Sequence, residues 1–408
     1  VLNASVFYPI GTMSDAKPGA IYMAAELMLR GANGLNSESF SAQLDSMGAS
    51  IFGGASKRAT SFGVEVPISS ATKALSFLAG VVSAPTLNKT DFDQLKEEVI
   101  AQLQQENDNA GSVARKVSLR EFLGANHPYA KPDSGTLAQV KALTYEDIKK
   151  ASSIIRAVKP KVFVASGLPI ASSKSLVDTA LGGVKLGTVS APTYPVPALP
   201  ESNLRVVIVD RPKAVQSVIN ILFPALNNST NEFRDLDAVR VVSGGSFTSR
   251  LNQNLREKRG YTYGAGSRLG SDPNIGWFTM QSSVRADVTG ASLTEFLAEI
   301  ARLEQGDITD KEASKAAEII RTELVTSYST LGDLVGGGIA AETSKITASK
   351  VDEILAYLKT LNSDKLNSAS KKFLRKSDAL IVIVGDKAEI LKQIEGLGLP
   401  TPKIVSAD

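Results

Sequence analysis

The spacing of apolar and polar residues along the chain predicts strands and helices that come in blocks. Several strand-like runs are adjacent in sequence and joined by short turns, which favours antiparallel pairing. The strand-like runs cover residues 4–10, 49–57, 60–67, 161–166, 204–209, 215–223, 262–269, 276–284 and 379–384, and the long helical runs cover residues 70–83, 89–106, 111–123, 291–303, 311–327 and 331–343. This order predicts an α+β fold with helices packed on a mainly antiparallel sheet.

The two halves of the chain share one layout. In residues 143–167 a capped helix leads to a buried apolar strand that ends on glycine, and the same order recurs without a gap in residues 361–385. A second similarity relates residues 39–44 to residues 246–251, each of which leads through a glycine to a strand. A period near 200 residues is too long for a solenoid. We therefore expect two homologous copies of one α+β domain.

A proline-rich stretch at residues 188–200 separates the two halves. Proline cannot continue a helix or enter the interior of a sheet, so the stretch favours an extended linker. A long surface loop within one domain is the alternative interpretation. The expected organisation is a first domain at residues 1–187, a linker at residues 188–203 and a second domain at residues 204–408.

Composition narrows the classes of function. The formal net charge is only +3 and acids and bases are interspersed, so the chain has no basic stripe of the kind that nucleic-acid binding needs. No apolar run approaches the ~20 residues of a membrane span. The chain has no cysteine and one histidine, His127, which argues against disulfides and against a self-contained metal site. His127 lies in a His-Pro-Tyr turn after a predicted helix, and we expect its role to be structural.

One helical run, from Gly19 to Gly31, is apolar on all sides and has Glu26 as its only acid. A helix of this kind is buried, and a glycine ends it. The simplest interpretation is a core helix whose single carboxylate reaches a partner or the surface.

This helix resembles the inverted zinc-motif helix of the pitrilysin and insulinase-type metallopeptidases. That family includes insulin-degrading enzymes, mitochondrial processing peptidases and the core proteins of the respiratory bc1 complex. Its active members carry His-x-x-Glu-His on the helix and a further glutamate ligand some way downstream. Here the corresponding positions are Tyr22, Ala25, Glu26 and, downstream, Gln102. All four functional positions of the family motif have changed.

These changes imply a chain that binds no zinc of its own. A catalytic zinc site needs neutral imidazoles and a carboxylate, with a position left open for water. Tyr22 and Gln102 are poor zinc ligands, and Ala25 cannot take a proton from the attacking water. The run 49–57, which contains Gly53 and Gly54, matches the family's edge strand, which pairs with extended substrates.

A second segment, residues 244–263, resembles the signature of the family's second domain. In that signature an arginine, and a tyrosine seven residues later, face the zinc; here they correspond to Arg256 and Tyr263. A phenol and a guanidinium can donate hydrogen bonds to the oxygen that becomes negative during attack on a peptide carbonyl. The guanidinium can also hold substrate backbone carbonyls. A solvated, charged helix end is the alternative interpretation, and Tyr261 competes with Tyr263 for the role.

The resemblance implies the non-zinc subunit of a bacterial heterodimeric peptidase. A homologous partner subunit would hold the zinc, and this chain would supply Arg256 and Tyr263 to bind peptides and stabilise the oxyanion in an enclosed chamber. The alternative is a catalytically inert subunit, either a scaffold like the core proteins or a peptide-binding chaperone. Some split peptidases of this kind are exported, so we expect the periplasm, with the cytoplasm and the mitochondrion as alternatives.

Overall fold

A computed structural model describes residues 1–228, 230–344 and 348–407. The elements of the first half are β1 (Leu2–Tyr8), α1 (Ala20–Met28), α2 (Ser37–Ser46), β2 (Ser50–Ala55), β3 (Thr60–Val66), α3 (Ala71–Ser83), α4 (Lys89–Asp108), α5 (Ala110–Leu123), α6 (Leu137–Ala142), α7 (Tyr145–Ala157), β4 (Lys161–Ser166) and α8 (Ile170–Leu181). Residues 190–204 contain neither helix nor strand.

The second half has the same mixture. Its elements are β5 (Arg205–Asp210), β6 (Gln216–Ala225), α9 (Asn231–Arg240), β7 (Thr262–Asp272), β8 (Ile275–Arg285), α10 (Thr289–Gln305), α11 (Asp310–Thr326), α12 (Leu331–Ser344), α13 (Ala348–Leu358), α14 (Ser363–Phe373), β9 (Leu380–Gly385), α15 (Lys387–Ile394) and β10 (Lys403–Val405). Between α9 and β7 the backbone forms two π-helical turns, Val241–Gly245 and Asn252–Lys258.

The helices that feed strands begin where the sequence provides caps. The hydroxyl of Thr144 accepts the N–H of Asp147, and the Asp147 carboxylate in turn accepts the N–H of Thr144, which is a capping box at the start of α7. The side chain of Asn362 accepts the N–H of Lys365 and starts α14. These two caps occupy equivalent places in the two sequence halves, as the internal similarity predicts.

The chain forms two compact units, and the first consists of Val1–Gln104, Lys131–Pro195 and Val325–Ile346. Its sheet has the order β2–β3–β1–β4 and is antiparallel throughout. All of β1 is buried because α12 packs on the β1–β4 side while α1, α3 and α7 contribute to the main core. Strand β2 is an edge strand and pairs only with β3 within the described residues.

The second unit consists of Gln105–Ala130, Val196–Leu324 and Thr347–Asp408. Its sheet has the order β10–β5–β9–β6–β8–β7, and the β5–β9 and β10–β5 pairs are parallel. Side chains alternate between two cores along β6: Ile219, Ile221 and Phe223 enter one core, and Leu222 enters the other beside Val113 of α5.

The predicted fold class is confirmed: helices pack on two mainly antiparallel sheets. One prediction drawn from the internal similarity is wrong. The strand predicted at residues 161–166 was expected to be buried like its counterpart at residues 379–384. Strand β9 is buried along its whole length, but β4 is only half-buried because it lies at the edge of its sheet.

Each unit contains one helix from the other half of the sequence. Helix α5 belongs to the second unit and packs on β6 and β9, whereas α12 belongs to the first unit and packs on β1 and β4. The domain limits predicted in chain order, 1–187 and 204–408, stay a prediction. None of the helices in the described part of the chain has the length and apolar character that crossing a membrane requires.

Candidate functional site

Helix α1 places two of the four motif positions in one cavity. Its first turn is held by Asp15, whose two carboxylate oxygens accept the N–H groups of Gly19 (2.9 Å) and Ile21 (2.7 Å). Gly19 has φ +89°, a conformation that favours glycine. Residues Tyr22 and Glu26 lie one turn apart, are half-buried, and both line a cavity of about 520 Å³ within the first unit.

The other two motif positions lie elsewhere. Ala25 is fully buried on the core side of α1. Gln102 is exposed on α4 and is not among the residues that line the cavity. Within residues 1–228, 230–344 and 348–407, no three His, Asp or Glu side chains come together as metal ligands would. A phenol, a methyl group, one carboxylate and a distant amide do not fit the donor set that a catalytic zinc needs.

Burial changes the acid–base behaviour of the acids at this helix. It raises the pKa of the Asp15 carboxyl to about 6, against the opposing effect of the backbone N–H groups of Ile21 and Gly19. Burial also raises the pKa of Glu26, and the positive charge of Arg30 opposes that rise. Both carboxyls are therefore easier to protonate than exposed ones.

In the second unit, Arg256 is half-buried on the second π-helical turn. Its guanidinium carbon lies 4.0 Å from the centroid of the Phe247 ring, which is a close cation–π contact. Its Nη1 atom forms an ion pair with Glu257 Oε1 at 3.3 Å, is buried and makes no hydrogen bond to the described residues. The aromatic contact restrains the guanidinium, which is only partly exposed to solvent. Sequence reasoning missed Phe247.

The structure separates the two candidate tyrosines. Tyr263 is 95% exposed, and its phenol makes no hydrogen bond to the part of the chain that the structure describes. Tyr261 is partly buried against the second core, and its N–H donates to the Leu255 carbonyl at 2.9 Å. Tyr263 therefore exposes its phenol to solvent, whereas Tyr261 is partly buried. Arg256 and Tyr263 make no hydrogen bond with each other.

A β-bulge carries Tyr263. The β7–β8 register shifts between Thr262 and Ala265, so the intervening residues leave the regular ladder. The Thr262 hydroxyl donates to the Ser283 carbonyl at 2.6 Å and accepts from the Ser282 hydroxyl at 3.0 Å. These contacts brace the bulge from β8.

Asn252 joins the bulge to the π-helical turn that carries Arg256. Its Oδ1 accepts the Ala265 N–H at 2.9 Å, while its Nδ2 donates to the Ser246 carbonyl at 3.0 Å. The side chain is buried, so both contacts lie out of water. The two elements that carry the predicted pair are therefore tied together. No sequence signal marks Asn252, because polar residues surround it in the segment 246–256.

Two family models match the chain. Residues 3–130 match Insulinase (Peptidase family M16), and residues 142–320 match the Peptidase M16 inactive domain. The chain belongs to the insulinase family, peptidase family M16. The two matched segments follow each other along the chain and together include parts of both sequence halves.

Individual relatives agree with the family. An uncharacterized zinc protease of Streptomyces coelicolor is 20% identical over 377 residues, which cover 91% of this chain and 81% of that protein. An uncharacterized zinc protease of Bacillus subtilis, YmxG, is 26% identical over 166 residues, which cover 40% of this chain and 39% of that protein.

Solved structures share the fold. A peptidase M16 inactive domain from Pseudomonas fluorescens has a TM-score of 0.85 at 19% identity and covers 95% of this chain and 92% of its own. The periplasmic protease PqqL from Escherichia coli has a TM-score of 0.75 at 15% identity and covers 95% of this chain and 43% of its own. At these identities the matches show the fold alone.

The single histidine of this M16 chain is a structural residue. His127 is buried in the second unit, its Nδ1 accepts the Tyr129 N–H at 3.2 Å, and its Nε2 lies 3.3 Å from the Pro197 carbonyl, to which it donates. Both ring nitrogens are thus engaged with the backbone, as a core histidine requires.

Proposed function

We propose that this chain is the non-zinc subunit of a heterodimeric M16 peptidase. The observation that carries the proposal is Tyr263, whose phenol is exposed on a braced bulge although the chain's own zinc-motif positions cannot hold the metal. The partner would be a homologous subunit with an intact His-x-x-Glu-His helix and its zinc. Peptides would be the substrates, cleaved in a chamber that the two subunits enclose.

The role of each residue follows from its chemistry. The phenol of Tyr263 donates a hydrogen bond to the substrate carbonyl oxygen as negative charge develops on it, and this stabilises the transition state. The guanidinium of Arg256, which lies over the ring of Phe247, binds backbone carbonyls of the peptide and keeps it in register. The partner's zinc would supply the activated water. This chain contributes only hydrogen-bond donors and their positions relative to the peptide.

The compartment belongs to the same proposal. A cysteine-free chain is compatible with an oxidising periplasm. We therefore propose the periplasm as its place of action, with the cytoplasm or the mitochondrion as alternatives. Fractionation of cells that express the natural gene would decide between them.

Reconstitution tests the proposal. The purified chain, a homologue with the intact zinc motif, and the two together would be assayed for zinc content and for cleavage of a quenched fluorescent peptide. We expect zinc in the homologue and strong cleavage only in the mixture. Stoichiometric zinc and cleavage in this chain alone would contradict the proposal.

A second candidate is a peptide-binding subunit that takes no part in cleavage. It is favoured by β2, a sheet edge that has no partner strand on its outer side within the described residues. If the reconstituted pair cleaves peptides equally well with Arg256→Ala in this chain, this candidate is preferred.

A further inference from the structure

Among the residues that the structure describes, one charged group lines the cavity of the first unit. Its walls are small, apolar or hydroxyl-bearing side chains, including Phe7, Ser61 and Ile339, and Glu26 is the only ionisable acid or base among them apart from the phenol of Tyr22. A volume of about 520 Å³ lies within the usual range of ligand sites. The described walls of the cavity therefore offer a negative charge on a half-buried carboxylate.

The carboxylate of Glu26 has no partner of its own. It makes no hydrogen bond or ion pair to any residue that the structure describes. Arg30, in the turn after α1, is the nearby cation that acts on Glu26, but its guanidinium is engaged by the carboxylate of Glu98 on α4. A half-buried carboxylate without a counter-ion is costly, and a bound cation would relieve that cost.

Two glycines leave the space around this carboxylate open. Glu26 Oε1 lies 3.5 Å from the place where a Cβ on Gly54 would stand, and Gly54 has φ +155° at the end of β2. Gly336 of α12 also lines the cavity, and no atom lies within 4 Å of its Cβ position. A glycine inside a helix costs about 1 kcal/mol relative to alanine, so the glycine that keeps this space open makes the helix less stable.

We propose that this cavity binds the protonated amine of an extended peptide, with Glu26 as counter-ion and the free edge of β2 as the strand that pairs with the peptide backbone. An ammonium group suits the site because it needs one carboxylate, whereas a metal ion needs several ligands. The strand edge lies beside the cavity, since Gly54 and Ala55 of β2 line it. The amine is a lysine side chain or a free N-terminus.

Binding to the isolated chain tests this site without a partner subunit, so the outcome is independent of the heterodimer proposal. The probes are fluorescent hexapeptides of alternating valine and threonine. One pair has a central lysine, free or acetylated at its side chain, with a blocked N-terminus. The other pair has no lysine and a free or acetylated N-terminus. Fluorescence anisotropy at pH 7.5 would give each Kd.

We expect one free-amine peptide to bind about tenfold more tightly than its acetylated twin, and the pair that shows the difference identifies the source of the amine. Glu26→Gln should abolish that difference, and Gly336→Leu should weaken binding of the free-amine peptide by filling the cavity while favouring the helix. Glu38→Gln, an exposed change on α2, is the matched control and should leave Kd unchanged.

Circular dichroism would confirm that each variant is folded. Equal affinity for free and acetylated peptides, no binding of any peptide, or a preference that survives Glu26→Gln would each overturn the proposal.

Discussion

The guanidinium of Arg256 lies over the ring of Phe247, with 4.0 Å between its central carbon and the ring centroid. Phe247 is 65% exposed, so the contact lies at the surface of the second unit. A cation–π contact at this distance restricts the orientations open to the arginine on the turn that precedes β7.

Replacing Phe247 by leucine should therefore weaken catalysis without unfolding the chain. An exposed cation–π contact contributes about 0.5–1 kcal/mol, so we expect kcat/KM of the reconstituted pair to fall about threefold. The free energy of unfolding should change by less than about 0.5 kcal/mol, because the side chain is on the surface. Phe247→Tyr keeps an aromatic face and should retain full activity; an equal loss in both variants would contradict the role of the ring.

Replacing Asn252 by leucine should destabilise the second unit. The change leaves the buried N–H of Ala265 without its acceptor, which costs about 1–3 kcal/mol. Urea unfolding would measure the loss. Asn254→Leu is the control, because within the described residues the Asn254 side chain bonds only the Glu295 side chain, at 2.7 Å, in a less buried place. If both variants lose the same amount, Asn252 does not brace the bulge in the way described.

Replacing Arg250 by methionine should destabilise the chain more strongly. The side chain of Arg250 is only 9% exposed and bonds Glu312 at 2.6 Å, Asp307 at 2.6 Å and Glu299 at 3.2 Å. Removing the cation leaves the buried Glu299 carboxylate with less compensation, and breaking such a network costs about 3–5 kcal/mol.

Arg302 supplies the control for this network. It contacts the same Glu299 and Asp307 from an exposed position, so Arg302→Met should cost less than about 1 kcal/mol. Urea unfolding measured for both variants should separate them clearly, and similar losses would show that Arg250 is not the centre of the network.

Asp15 should make stability depend on pH. Because burial raises its pKa to about 6, the folded chain favours the neutral carboxyl, and this contribution is present below about pH 4 and lost as the pH rises through 6. The free energy of unfolding of the natural chain, relative to Asp15→Asn, should fall by on the order of 2 kcal/mol between pH 4.5 and 7.5.

Asp147 provides the contrast. Its hydrogen bond with Lys17 lowers its pKa to about 2, so its contribution is present above about pH 4 and lost only at lower pH. Asp147→Asn should therefore show a nearly constant difference from pH 4.5 to 7.5. A flat difference for Asp15→Asn over the same range would contradict the buried position assigned to its carboxyl.

Local patterns predicted most of the elements because caps, apolar periodicity and turns act over a few residues. The capped helix before β4 and its counterpart before β9 were visible in the sequence, as was the segment that contains Arg256 and Tyr263. The degree of burial of β4 was not visible in the sequence, because burial depends on the position of a strand in its sheet and not on its own composition.

The sequence does not predict how segments that are far apart in the chain pack together. The periodicity of α5 and α12 shows that each is a helix, but it does not show which sheet each one covers. The Phe247–Arg256 contact was equally hidden, since a continuous α-helix would place residues 247 and 256 on opposite faces, whereas Phe247 lies in a turn between the two π-helical turns. The cavity around Glu26 depends on Gly336, which is more than 300 positions away in the chain.

The most direct test of the central claim compares two tyrosines. In the pair reconstituted with a zinc-bearing homologue, Tyr263→Phe removes the exposed phenol hydroxyl, and Tyr261→Phe removes the hydroxyl of a side chain that is partly buried against the core. Loss of one oxyanion donor costs about 2.7–4 kcal/mol, so Tyr263→Phe should lower kcat by 10²–10³-fold while Tyr261→Phe leaves it within about twofold. Unchanged turnover with Tyr263→Phe would contradict the claim that this chain completes its partner's active site.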